Sequence, residues 1–115
     1  MNRLTQPDKT YIVAEVGRNH NGQIDIAEKL IRAAATAKVN AVKFQKRTPR
    51  ICVPRNQWDI ERDTPYWGRV SYIEYCEHAE LSIEAYSKLA DLAFGLGLGF
   101  IMSVWDLVAL DELHE

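Results

Sequence analysis

The chain has 115 residues, 47% hydrophobic and 26% charged, with a formal net charge of -2 at pH 7. That composition excludes a disordered or collagen-like chain, and an acidic balance without a basic motif excludes a nucleic-acid binder. The length suits one domain and falls well short of the roughly 250 residues of a closed (β/α)₈ barrel.

Residues 10–16 are apolar and rich in β-branched side chains, which predicts a buried strand with Glu15 near its carboxyl end. The run Gly17-Arg18-Asn19-His20-Asn21-Gly22 is turn-forming and reads as a loop. Asp25 is the expected N-cap of a helix, with Glu28 three residues on as in a capping box. Ile26, Ala27, Leu30, Ile31, Ala34 and Ala37 give it one apolar face, and Asn40 offers a residue for a left-handed end. Residues 41–44 predict a second strand, followed by a basic segment, 45–55, then an irregular stretch, 57–69. A short helix over 72–80 follows. Ser82 can cap the next helix, whose buried face is Ala85, Leu89, Leu92 and Ala93. Gly95, Gly97 and Gly99 end it. Residues 99–104 predict a third strand, and Asp106 caps a last helix that the chain end interrupts, as in a truncated parent.

No apolar run reaches the roughly 18 residues of a membrane span, and the polar first ten residues read as no signal peptide. Cys52 and Cys76 make neither a metal-binding spacing nor a disulfide framework, so a reducing, cytoplasmic setting is expected.

Alternation of strand and helix predicts an α/β fold with a parallel sheet and right-handed crossovers. Three strands alone leave two open edges. The pattern over 1–115 therefore fits the first three β/α units of a TIM (β/α)₈ barrel, truncated, better than a complete doubly wound domain.

Ligands of such folds bind at the carboxyl ends of the strands. Glu15, Lys43, Gln45 and Ser103 stand there. A carboxylate and an ammonium within apolar strands are costly unless paired or used. One reading is a buried Glu15–Lys43 ion pair. The other is an anion-binding mouth with Glu15 as acid or base. Five cations lie between Lys43 and Arg55 with no acid among them, which favours a phosphate or carboxylate ligand. Lys46, Arg47, Arg50 and Arg55, taken singly, read as solvated. Of the three histidines, His78 and His114 read as solvated, and His20 has no second histidine at ligand spacing, so no metal site is expected within the chain. Trp58, Trp67 and Trp105 read as packing residues.

The element Ala14-Glu15-Val16-Gly17-Arg18-Asn19-His20-Asn21-Gly22, followed by Ala41-Val42-Lys43-Phe44-Gln45, resembles the start of the sialic acid synthase family. That family comprises N-acetylneuraminate, legionaminate and pseudaminate synthases. Thr64-Pro65-Tyr66-Trp67-Gly68, Ser71-Tyr72-Ile73-Glu74-Tyr75 and Phe100-Ile101-Met102-Ser103-Val104-Trp105-Asp106 extend the likeness.

The resemblance implies an N-terminal part of a (β/α)₈ barrel. The other strands and a small antifreeze-like domain are absent here, and the parent is a homodimer. It implies condensation of phosphoenolpyruvate with the aldehyde of an N-acylated hexosamine, releasing phosphate. A divalent metal, manganese or magnesium, assists, on ligands outside this segment. It further implies that Glu15 manages a proton or the attacking water, that Lys43 contacts phosphoenolpyruvate and that Gln45 lies near the sugar. Asn19 and Ser103 line the same mouth. Arg18 stands where the family usually has an apolar residue. Lys38-Val39-Asn40 lacks the usual helix-ending glycine, at a penalty of about 1 kcal/mol. Alone, these 115 residues are expected to be inactive. Two alternatives remain: a Schiff-base aldolase using Lys43, or a non-catalytic fragment that keeps the anion site.

Overall fold

A computed structural model describes residues 9–114. The absence of a signal peptide was read largely from residues 1–8, which lie outside the described residues, as does Glu115 at the interrupted helix. The elements are β1 (Val13–Gly17), α1 (Ile24–Thr36), β2 (Ala41–Lys46), α2 (Pro49–Cys52), a 3-10 turn (Arg55–Gln57), β3 (Glu61–Thr64), β4 (Gly68–Ser71), α3 (Tyr72–His78), α4 (Ile83–Gly95), β5 (Gly99–Val104) and α5 (Leu107–His114). No helix among the described residues is long and apolar enough to cross a membrane.

Strands β1, β2 and β5 form one parallel sheet in the order β1-β2-β5. This is the expected α/β arrangement. Side chains alternate across a strand. Val42 and Phe44 of β2 are fully buried toward α1 and α4, against Ala27, Ile31, Leu89 and Ala93. Phe44 stacks on Phe100 at 5.2 Å and meets Tyr86 edge-on at 6.1 Å. Each large side chain so buried contributes about 1.5–3 kcal/mol. Lys43 and Gln45, one residue out of phase, face the other side and are half-buried.

Helix ends corrected two expectations. The α1 N-cap is Gln23, with no side-chain cap, and Asp25 lies within the first turn. Its carboxylate still faces the positive helix end there. At the other end Lys38, not Asn40, takes the left-handed conformation (φ 59°). The Val39 and Lys38 N–H groups donate back to the Ala34 and Ala35 carbonyls, closing a Schellman motif. Asn40 instead accepts from the Ile12 N–H at 2.7 Å. Helix α4 ends in the same motif with Gly97 (φ 79°) in the left-handed seat. Ser82 caps α4 as expected, accepting from the Ala85 N–H, but the buried face holds Tyr86 with Leu89 and Ala93. The first strand begins at Val13 and the helix expected over 72–80 ends at His78.

The irregular stretch expected over 57–69 contains an antiparallel hairpin, β3–β4. Its strands, ERDT and GRVS, are mostly exposed and half charged, so no apolar alternation marked it. Arg69 bridges Glu61 at 2.8 Å, and the Thr64 hydroxyl both accepts from the Trp67 N–H and donates to the Gly68 carbonyl. The following α3 opens with a capping box between Ser71 and Glu74. A second small core joins Val53, Ile73 and Cys76 with Trp58, Tyr72 and Tyr75. Trp58 thus packs as expected, whereas Trp105 is 57% exposed. Just past the sheet, it meets the Arg47 guanidinium 5.9 Å from its ring centre and stays open otherwise.

Candidate functional site

Parallel register places Glu15 opposite Lys43, and Gln45 opposite Ser103. All four therefore share the sheet face turned away from α1 and α4. Glu15 Oε2 lies 2.6 Å from Lys43 Nζ. The two side chains keep 54% and 36% of their exposure, so the pair is not the buried one that the first reading expected. It stands at the sheet's open surface. Gly17, with φ 55°, gives room there. A Cβ on it would lie 3.7 Å from Glu15 Oε1 and 3.8 Å from Gln45 Oε1. The β1 register shifts between Glu15 and Gly17, which turns the chain into the following loop.

The structure thus brings Glu15, Lys43, Gln45 and Ser103 together. An ammonium, a carboxylate, an amide and a hydroxyl form a short polar strip that can hold an anion and move a proton beside it. Asn19 is exposed in the loop after β1, and its Nδ2 donates to the Val16 carbonyl at 2.9 Å. That bond shapes the loop.

Sequence reasoning underrated His20. It is fully buried, stacked on Phe44 at 5.9 Å, and its Nδ1 accepts from the Gly22 N–H. Burial, then the nearby Arg18 guanidinium, push its pKa down to about 4. It is a neutral imidazole whose Nε2 finds no partner among the described residues. Its stacking ring could have been suspected only from the Asn-His-Asn turn.

Lys46 and Arg47 were expected to be solvated. Both are buried. They leave the end of β2 toward the helices, where Lys46 meets Glu112 at 3.2 Å and Arg47 meets Glu80 at 3.5 Å. Arg50 and Arg55 are exposed, as expected. His78 and His114 are exposed too. Burial raises the Glu80 carboxyl above its usual range, against the Arg47 N–H and neighbouring cations.

Asp106 caps α5 through the Ala109 N–H at 2.8 Å and accepts from both the Thr48 N–H and hydroxyl. Burial pushes its carboxyl up, but the Ala109, Thr48 and Cys52 donors outweigh that and hold it down to about 2. It ties the exits of β2 and β5 together.

Among the described residues, no three of His, Cys, Asp and Glu come together to hold a metal ion. The residues present therefore do not fit a metal centre by themselves.

Residues 30–115 match the NeuB family. The chain is 36% identical over 110 residues to the N-acetylneuraminate-9-phosphate synthase of Mus musculus, covering 91% of this chain and 29% of that one. It is 31% identical over 112 residues to the N,N'-diacetyllegionaminic acid synthase of Campylobacter jejuni, covering 93% and 32%. The fold superimposes on the N-acetylneuraminic acid synthetase of Leptospira borgpetersenii with a TM-score of 0.76 at 24% identity, over 93% of this chain and 33% of that one. The chain thus spans about a third of the length of the relatives it matches.

Proposed function

We propose, for a chain that belongs to the NeuB family, that it supplies the phosphoenolpyruvate end of a nonulosonic (sialic) acid synthase site. The observation that carries this reading is the Glu15–Lys43–Gln45–Ser103 strip on the open sheet face. The relatives' names supply the product class.

In this reading the chain provides the first three β/α units of a (β/α)₈ barrel. Further polypeptide closes it and brings the metal ligands and a homodimer partner. Two observations support closure. Strands β1 and β5 are sheet edges among the described residues. Exposed apolar side chains also stand at the start of β1 (Ile12, Val13), at the end of β5 (Val104) and on α5 (Leu107, Val108). Such surface calls for a covering layer. The strip then faces the barrel interior at the carboxyl ends of the strands, where barrel enzymes hold their substrates. The setting is cytoplasmic.

The reaction joins C3 of phosphoenolpyruvate to the aldehyde carbon of an N-acylated hexosamine, whose oxygen takes up a proton and becomes a hydroxyl. Water adds to C2, the C2–O bond to phosphate breaks, and C2 is left as a ketone with inorganic phosphate released. Lys43 holds the carboxylate and phosphate charge of the donor. Glu15, beside it, orients the attacking water and takes its proton. Gln45 and Ser103 hold the sugar, with Asn19 at the rim. A divalent cation such as manganese or magnesium would be held by ligands outside this segment and would supply Lewis-acid polarisation of the aldehyde.

The test supplies the intact enzyme containing this chain with phosphoenolpyruvate, manganese and a panel of N-acylated hexosamines. Phosphate release that depends on one hexosamine, with a nonulosonic acid as product, supports the reading. No release with any of them, or borohydride-trappable pyruvate on Lys43, overturns it.

A further inference from the structure

We propose that Tyr86 is a positioning residue for Gln45, acting through the main chain from the opposite face of the sheet. The inference rests on the reading of Gln45 as a sugar contact. The Tyr86 hydroxyl, on α4, donates to the Gln45 carbonyl at 3.1 Å. The next peptide group is held at both ends: the Lys46 carbonyl accepts from the Trp105 N–H, and the Arg47 N–H donates to Glu80. Two consecutive peptides at the exit of β2 are therefore pinned, by α4, by the segment before it and by the segment after β5.

The consequence is local. A fixed carbonyl fixes the ψ angle of Gln45, and with it the direction in which the side chain leaves the strand. That side chain emerges on the far face, its oxygen close to Gly17 and so to Glu15. Tyr86 itself never reaches that face. It is 2% exposed and packs edge-on against Phe44. Burial, then the neighbouring Glu80 charge, raise its phenol above its usual range, so it stays a hydrogen-bond donor at any working pH. A buried hydroxyl needs a partner; this one, which also meets the Leu81 main chain, finds its acceptor at a residue of the site.

Tyr86→Phe keeps the ring and removes the bond. In the intact enzyme carrying isotope-labelled Gln45, the Gln45 carbonyl carbon resonance should shift in Tyr86→Phe; an unmoved resonance overturns the proposal. In the intact enzyme, Tyr86→Phe should raise KM for the most active N-acylated hexosamine of the panel by about 2- to 10-fold, the worth of one hydrogen bond. KM for phosphoenolpyruvate should stay unchanged. In a Gln45→Ala background the same substitution should have no further effect on the hexosamine KM. An equal effect in both backgrounds means Tyr86 does not act through Gln45 and overturns the proposal. Gln45→Ala with an unchanged hexosamine KM is a different failure, that of the sugar reading, and takes the positioning role with it.

Discussion

Glu15 Oε2 and Lys43 Nζ are 2.6 Å apart on adjacent parallel strands, yet both side chains reach solvent. A buried pair of this kind would be structural, and breaking it would cost about 3–5 kcal/mol. A pair this exposed is worth about 0–1 kcal/mol. Glu15→Gln and Lys43→Met should therefore each change the unfolding free energy by less than about 1 kcal/mol in urea titrations. A loss above about 3 kcal/mol would return the pair to a structural role.

His20 makes the fold sensitive to mild acid. Its folded pKa, about 4, lies below the ordinary value of 6.5. Below pH 6.5 the unfolded chain takes up a proton that the folded chain refuses, so stability falls as pH drops toward 4 and is fully present above 6.5. From pH 7 to pH 5 this group should remove about 2 kcal/mol. Urea midpoints at the two pH values, compared with His20→Asn, measure it. An equal pH slope in that variant would assign the acid sensitivity elsewhere.

Asp106 acts in a lower window. Its pKa of about 2 lies below the ordinary value of 3.8. Its contribution is present above that ordinary value and is lost as pH falls through about 2. Asp106→Ala should cost about 1–2 kcal/mol at pH 7, the range of a lost N-cap. Thermal melts at pH 7 should show this, and the deficit should narrow toward pH 2.

Gly22 is locked by contact as well as conformation. A Cβ there would stand 1.9 Å from the His78 carbonyl oxygen, and its φ is 70°. Gly22→Ala should cost more than about 3 kcal/mol, since neither backbone can yield cheaply. A near-neutral melt would mean that the loop after β1 does not rest on α3.

Lys38→Gly tests the helix end. Lys38 carries the left-handed conformation that Gly97 carries at the end of α4. The substitution should stabilise the fold by up to about 1 kcal/mol, visible as a raised urea midpoint.

Much of this was legible in the chain. The three parallel strands followed from short β-branched runs, and the four residues of the strip followed from strand ends. The β3–β4 hairpin was hidden because its stability lies in Arg69, Glu61 and Thr64 rather than in apolar alternation. Lys46 and Arg47 misled because their partners, Glu112 and Glu80, are remote in sequence. Lys43 also had a distant partner, Glu15, but the two sit at matching positions on neighbouring strands. Tyr86 escaped notice because a tyrosine on a helix face shows nothing of where its hydroxyl ends.

The central claim is that Lys43 holds the anionic donor. The measurement is kcat/KM for phosphoenolpyruvate in the intact enzyme, for Lys43→Ala against the parent. Loss of a charged contact worth about 2–5 kcal/mol predicts a fall of roughly 30- to several thousand-fold, with the fold intact by thermal melting. A variant with unchanged kcat/KM would contradict the account and remove Lys43 from the site.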